Sequence, residues 1–197
     1  MKKIDYFMST SSPWTYLGSQ LITEIATASG SEINIYPVNF GQIFPVSGGL
    51  PLPKRAPQRQ AYRLMELQRW KKKRDSRMHI EPSNFPSASP ISSLCVIAAR
   101  ESGDNALSLS NAILAALWED DRNIDDPEVL KDICFENELD GNQILTTANT
   151  SKIEKLFETD THRAIKKGIF GAPTYLIDGE IFWGQDRLDF VSEKLAI

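Results

Sequence analysis

The chain of 197 residues is 41% hydrophobic and 24% charged, with 22 Lys and Arg against 26 Asp and Glu and a formal net charge of −4. That length suits one domain, or one domain carrying an insertion, with a substantial core. The acidic balance argues against a dedicated nucleic-acid binder, no apolar run approaches the ~20 residues of a membrane span, and Met1-Lys2-Lys3-Ile4-Asp5 is not expected to be a signal peptide.

The run Ile4-Asp5-Tyr6-Phe7-Met8 reads as a short strand ending in hydroxyl residues. Beyond it Trp14, Leu17, Leu21, Ile25 and Ala28 recur at helical spacing, so these positions are expected to face inward. Ser12 is a favoured N-cap, and Pro13 suits the first helical position. A hydroxyl therefore sits where a strand turns into a helix, among N–H groups that attract anions, a thiolate included. Taken alone, this is also what an ordinary N-cap looks like.

Ile33 to Val38 reads as a second strand, giving a βαβ opening. Gly41 to Pro57, rich in Gly and Pro, is predicted as a loop. A loop of this length is often functional. Gln58 to Arg74 is predicted as a helix with Tyr62, Met65 or Leu64, Leu67 and Trp70 at helical spacing. It ends in a basic run in which six of the nine residues from Arg69 to Arg77 are Lys or Arg. Ile80 to Ala88, with Pro82 and Pro86, is expected to be irregular.

Helices are predicted after Ser89-Pro90, after Asp104, after the Asp126-Pro127 cap and after Asp140. A further one is predicted from a Ser151-x-x-Glu154 capping box to Gly168. Thr174 to Ile177 is a third strand, Asp178-Gly179 a hairpin turn and Glu180 to Trp183 the returning strand. Gly184-Gln185-Asp186 leads into a last helix. Cys95 and Cys134 form no C-x-x-C pair and fall on apolar helix faces, so buried free thiols in a reducing, cytoplasmic setting are expected. His79 and His162 lack neighbours at ligand spacing, and no metal site is expected.

With the middle set aside, the order strand, helix, strand, helix, hairpin, helix is the thioredoxin layout. The fold class is thus α/β, a thioredoxin-like domain over residues 1–55 and 151–197 with an all-helical insertion over 56–150. Ala172-Pro173 falls just before the third strand, where that fold has its cis-proline.

Several stretches carry a resemblance to a known family. They are Tyr6-Phe7 with Ser12-Pro13-Trp14-Thr15-Tyr16-Leu17, Leu67-Gln68-Arg69-Trp70, Phe170-Gly171-Ala172-Pro173-Thr174, and Phe182-Trp183-Gly184-Gln185-Asp186-Arg187-Leu188. With these the chain resembles the 2-hydroxychromene-2-carboxylate isomerases, relatives of the kappa-class glutathione transferases and of disulfide oxidoreductases with a helical insertion. The resemblance implies glutathione as cofactor, Ser12 at its sulfur as the catalytic residue, and Ala172 beside Pro173 pairing main chain to main chain with the tripeptide. It also implies Trp183, Gly184, Gln185 and Asp186 at the γ-glutamyl end. It implies a small aromatic keto acid as substrate, touched by Lys54, Arg55 and Phe85, and allows a homodimer. The chain departs from the family at Ser47-Gly48-Gly49, where related sequences often carry Asn.

The implied reaction interconverts 2-hydroxychromene-2-carboxylate with trans-o-hydroxybenzylidenepyruvate. A kappa-like transferase or peroxidase acting on another electrophile uses the same activated thiolate, and a non-catalytic thioredoxin-like binding module needs none. Ser12 and Thr15 stand where a redox C-x-x-C would be, which argues against disulfide exchange.

Overall fold

The structure, a computed structural model, describes residues 2–196. Strand β1 (Lys3–Met8) pairs in parallel with β2 (Glu32–Pro37) on one side. On the other it pairs antiparallel with β3 (Thr174–Ile177), which forms a hairpin with β4 (Glu180–Trp183). The sheet order is β2-β1-β3-β4. The hairpin turn forms as expected, with positive φ at both Asp178 (53°) and Gly179 (84°), the combination that matches the twist of the two strands.

Period-two alternation divides the sheet's side chains between two layers. Ile4, Tyr6, Met8, Tyr175 and Ile177 face the layer of helix α1 (Pro13–Ser29) and the last helix, α9 (Leu188–Leu195). Phe7 and Leu176 face α2 (Phe40–Ser47) and α8 (Ser151–Lys166), packing with Val38, Ile43, Ala164 and Ile169. Between α2 and α8 come α3 (Pro57–Lys73), α4 (Ile91–Ser102), α5 (Ala106–Trp118), α6 (Pro127–Glu136) and α7 (Gly141–Ala148). One hydrophobic cluster runs from the sheet through α1 into these helices, taking in Leu67, Ile97, Leu117 and Trp118.

Three expectations need correction. The stretch after Val38 is not a loop throughout. Asn39 caps α2 by accepting from the Gly41 N–H at 2.9 Å, and Ile43 is fully buried, so amphipathic packing outweighs the Gly and Pro content. A 3-10 turn, Leu52–Lys54, follows it. The N-cap of α8 is Thr150 rather than Ser151, with no side-chain cap bond. The inward face of α1 is broader than its spacing predicts: Pro13, Thr15, Leu17, Gly18, Ile22, Ile25 and Ala26 are buried and Ala28 is exposed, because α5 and α9 pack on it as well as the sheet. The cap at Asp126, with Pro127 first in the helix, and the Asp140 cap, accepting from Asn142 and Gln143, form as predicted.

The stretch Ile80 to Ala88 is irregular and tied down by two carboxylates. Asp121 accepts from the Ser83 N–H (2.9 Å), the Ser83 hydroxyl and the Asn84 N–H (3.0 Å), while Asp125 accepts from Ser87 Oγ (2.6 Å) and the Ala88 N–H (2.7 Å). The Ser83 side-chain and backbone bonds, then that of Asn84, lower the Asp121 pKa to about 2. A carboxyl whose folded pKa lies below its unfolded value contributes stability above the unfolded value and loses it as pH falls through the folded one. Acid unfolding should therefore show a limb between about pH 4, the ordinary carboxylate value, and the Asp121 pKa of about 2. Asp121→Asn is expected to flatten that limb in a thermal-midpoint-against-pH series.

Candidate active site

The predicted strand-to-helix turn forms as read. Ser12 is in extended conformation (φ −77°, ψ 125°), its Oγ accepts from the Thr15 N–H at 3.2 Å, and Pro13 fills the first helical position. With its oxygen used as acceptor, the Ser12 hydroxyl still has its proton to donate. The turn is tightened by the Ser12 N–H donating to the Ser9 carbonyl (3.2 Å) and by contact between the Ser9 and Ser11 hydroxyls (3.3 Å).

The antiparallel register of β1 with β3 runs Asp5↔Leu176, Tyr6↔Tyr175, Phe7↔Thr174. Continued by one step, it sets Met8 against Pro173, so the end of β1 that leads into Ser12 is the end where the Ala172–Pro173 peptide enters the sheet. That peptide is cis. Pro173 is engaged through its carbonyl, which accepts from the Gly184 N–H at 2.9 Å. Among the described residues, no hydrogen bond engages the N–H or the carbonyl of Ala172. Ala172 thus presents both backbone groups unpaired at the end of the sheet that leads into the Ser12 turn.

The segment after β4 lies against the same loop. Trp183 is half exposed and its indole covers Gly171, edge-on to Phe170 at 4.8 Å. Gly184 has φ 104°, a value suited to glycine, and opens the 3-10 turn Gln185–Arg187, whose first N–H groups have no intrahelical acceptors. Asp186 pairs with its neighbour Arg187 at 2.8 Å, an exposed contact of little net worth. A Cβ on Gly171 would stand 2.9 Å from Trp183 Cε2. Gly171→Ala is therefore expected to swing the exposed indole aside, changing the near-UV circular dichroism of the Phe170–Trp183 pair. The cost in stability should be about 1–3 kcal/mol, because a whole indole ring must give way.

A residue that sequence reasoning missed holds this segment in place. Arg74, which ends α3, donates through Nη2 to the Gln185 carbonyl (3.2 Å) and Oε1 (3.1 Å), with Nε 3.4 Å from the same Oε1. Gln185 is 2% exposed and packs on α1, where a Cβ on Gly18 would come within 2.8 Å of its Cβ. One member of the basic run is thus a half-buried structural clamp on a buried glutamine. Others serve elsewhere: Arg69 pairs with Glu66, Arg77 with Glu119, and Lys73 lies 4.8 Å from the Trp70 ring centre.

The sequence-predicted electrophile contacts divide. Arg55 donates from Nε to the Leu50 carbonyl at 2.8 Å and lies near Arg63, while Phe85 has the Arg63 guanidinium 5.3 Å above its ring and Trp118 5.1 Å away. Lys54 is exposed in its 3-10 turn and joins neither contact.

The chain's own acids and thiols are poor nucleophiles. Tyr6 and Tyr175 stack at 5.1 Å beneath α1 with hydroxyls that find no partner among the described residues, and burial raises both pKa values, so they stay protonated. Cys95 and Cys134 are free and buried, as predicted. Burial pushes Cys95 up to about 12 and Cys134 up to about 11. A thiolate at the Ser12 turn would have to come from a bound molecule.

Comparison with known proteins agrees with the fold and adds relatives. A 2-hydroxychromene-2-carboxylate isomerase of Sphingobium xenophagum is 24% identical over 196 residues, 98% of each chain. A solved structure of 2-hydroxychromene-2-carboxylate isomerase superposes with a TM-score of 0.82 at 21% identity, covering 98% of this chain and 94% of that one. The cytosolic disulfide reductase DsbM of Pseudomonas aeruginosa, solved with GSH, superposes with a TM-score of 0.71 at 14% identity, covering 99% and 100%. The family model for the DSBA-like thioredoxin domain matches residues 3–196. With nearly the whole described chain inside that match, and the sheet order, cis-proline and capped first helix in place, the chain belongs to the family of DSBA-like thioredoxin domains.

Proposed function

We propose that the protein is a glutathione-dependent isomerase that interconverts 2-hydroxychromene-2-carboxylate and trans-o-hydroxybenzylidenepyruvate. The observation that carries the reading is the unpaired backbone of Ala172 beside cis Pro173, at the same end of the sheet as the Ser12 hydroxyl. An extended tripeptide can add to such an edge through its main chain. Its γ-glutamyl carboxylate suits the free N–H groups at the Gln185–Arg187 turn, and its ammonium suits Asp186, whose exposed pairing with Arg187 is easily exchanged. The relatives by name support the reaction class.

When bound, glutathione supplies a thiolate that can add reversibly to a conjugated C=C bond and so permit rotation about it. The residues of this chain do the rest. Ser12 donates its proton toward the sulfur, and the positive N-terminal end of α1, where the Trp14 N–H has no acceptor among the described residues, adds positive potential there. Lowering a thiol pKa by about two units from its ordinary ~8.5 corresponds to roughly 2.7 kcal/mol of preference for the thiolate. Trp183 covers Gly171, the residue before Ala172, and Arg74 fixes Gln185 two residues beyond Trp183.

The test is turnover of trans-o-hydroxybenzylidenepyruvate with and without glutathione, beside conjugation of an aryl halide. Glutathione-dependent isomerisation supports the proposal. Turnover of the halide alone would reassign the protein to the transferases, and failure of the protein to be retained on immobilised glutathione would leave only a binding module.

A further inference from the structure

We propose that Arg63, set on the ring of Phe85, anchors the carboxylate of an organic acid with an apolar, conjugated body, and that Arg55 is its second cation. This rests on the isomerase reading in one respect only: it assigns the acid end of the electrophile.

The observations are independent of that reading. Arg63 projects from the second turn of α3 and is half-buried, and its Nη2 is buried with no hydrogen-bond partner among the described residues. A guanidinium is a planar fork of five donors, and leaving it unmatched inside a protein is costly. The charges that act on it are Arg55, of like sign, and the exposed Glu81. None of Arg55, Arg59 and Arg63 is paired with a carboxylate among the described residues, in a chain whose net charge is −4. Burial, with Arg55 second, lowers the Arg63 pKa, and burial, with Arg59 second, lowers that of Arg55. An arriving carboxylate would supply the acceptors and the counter-charge together.

Placement also fits. The Phe85 ring under Arg63 is pinned by the Asp121 bonds to Ser83 and Asn84, so the platform is preformed. Phe85 packs on Trp118, and the next residue, Glu119, accepts from the Tyr16 hydroxyl at 2.9 Å, which ties the stack to the first turn of α1. Helix α3 therefore carries Arg63 at the Phe85 end and leads to Arg74 at the Gln185 end. Eleven residues of helix separate the two, about 16 Å at 1.5 Å per residue. A ligand whose amino-acid end lies by Gln185 and a second molecule whose acid end meets Arg63 would thus sit toward opposite ends of α3.

The test is calorimetric titration with trans-cinnamate and its neutral counterpart trans-cinnamamide, without glutathione, so that it does not depend on the cofactor. Wild type is expected to prefer the acid by about tenfold or more, and Arg63→Gln to bring the acid down to the level of the amide. Arg63→Lys, which keeps the charge but not the fork, should fall between, and thermal midpoints of both variants separate lost binding from lost folding. Equal affinity of wild type for acid and amide, or unchanged cinnamate binding in either folded variant, overturns the proposal. Retention on immobilised glutathione is read separately: its absence in wild type would sink the isomerase reading while the cinnamate result still decides this one.

Discussion

Replacing Ser12 by alanine is expected to reduce glutathione-dependent turnover by about a hundredfold and to return the bound thiol most of the way to its ordinary pKa near 8.5. Two effects are removed at once. With its oxygen satisfying the Thr15 N–H at 3.2 Å, the hydroxyl keeps a proton free to donate to an incoming sulfur. Losing the cap should cost about 1 kcal/mol of stability. A second substitution separates the two roles. Aspartate is as good an N-cap as serine, so Ser12→Asp should keep the thermal midpoint close to wild type. Its carboxylate can only accept, and it would oppose the thiolate, so turnover should fall at least as far as in the alanine variant. An S12D protein that stays active would mean that Ser12 is a cap and nothing more.

Arg74→Ala is expected to raise the glutathione KM by about tenfold while leaving turnover at saturating glutathione within a few-fold of wild type. The guanidinium satisfies both the carbonyl and the Oε1 of a glutamine that is 2% exposed. Removing it strands two buried acceptors, at about 1–3 kcal/mol each, which the segment relieves by shifting out of position. Gly184, Gln185 and Asp186 would then meet the γ-glutamyl end in the wrong place. Arg74→Lys can remake one bond and not the bidentate pair, so its KM should lie between the two. A proportional fall in turnover instead would place Arg74 at the reacting atoms.

The parts of the site that rest on local rules were legible in the sequence. Ser12-Pro13, Asp126-Pro127 and Asp178-Gly179 each dictate their geometry within two or three residues, and each formed as read. The helix over Phe40–Ser47 was hidden because Gly41, Pro45 and Gly48 argue locally for a loop. Its support, Ile43 packed against Phe7, Val38 and Ile169, comes from far along the chain. Arg74 was hidden by distance of another kind. In a run of six basic residues nothing local marks the one that crosses 111 positions to reach Gln185. Arg63 gave no signal either, since only the packed structure reveals a guanidinium half-buried on an aromatic ring with nothing to bind.

The most direct test of a borrowed thiolate between the Ser12 turn and the Ala172–Pro173 peptide is the ultraviolet thiolate absorbance of protein-bound glutathione, titrated against pH. With both buried cysteines protonated far above neutrality, the signal near neutral pH belongs to the ligand. A midpoint near 6.5, about two units below the free thiol, is the predicted result. A midpoint that stays near 8.5 with glutathione bound would contradict the account.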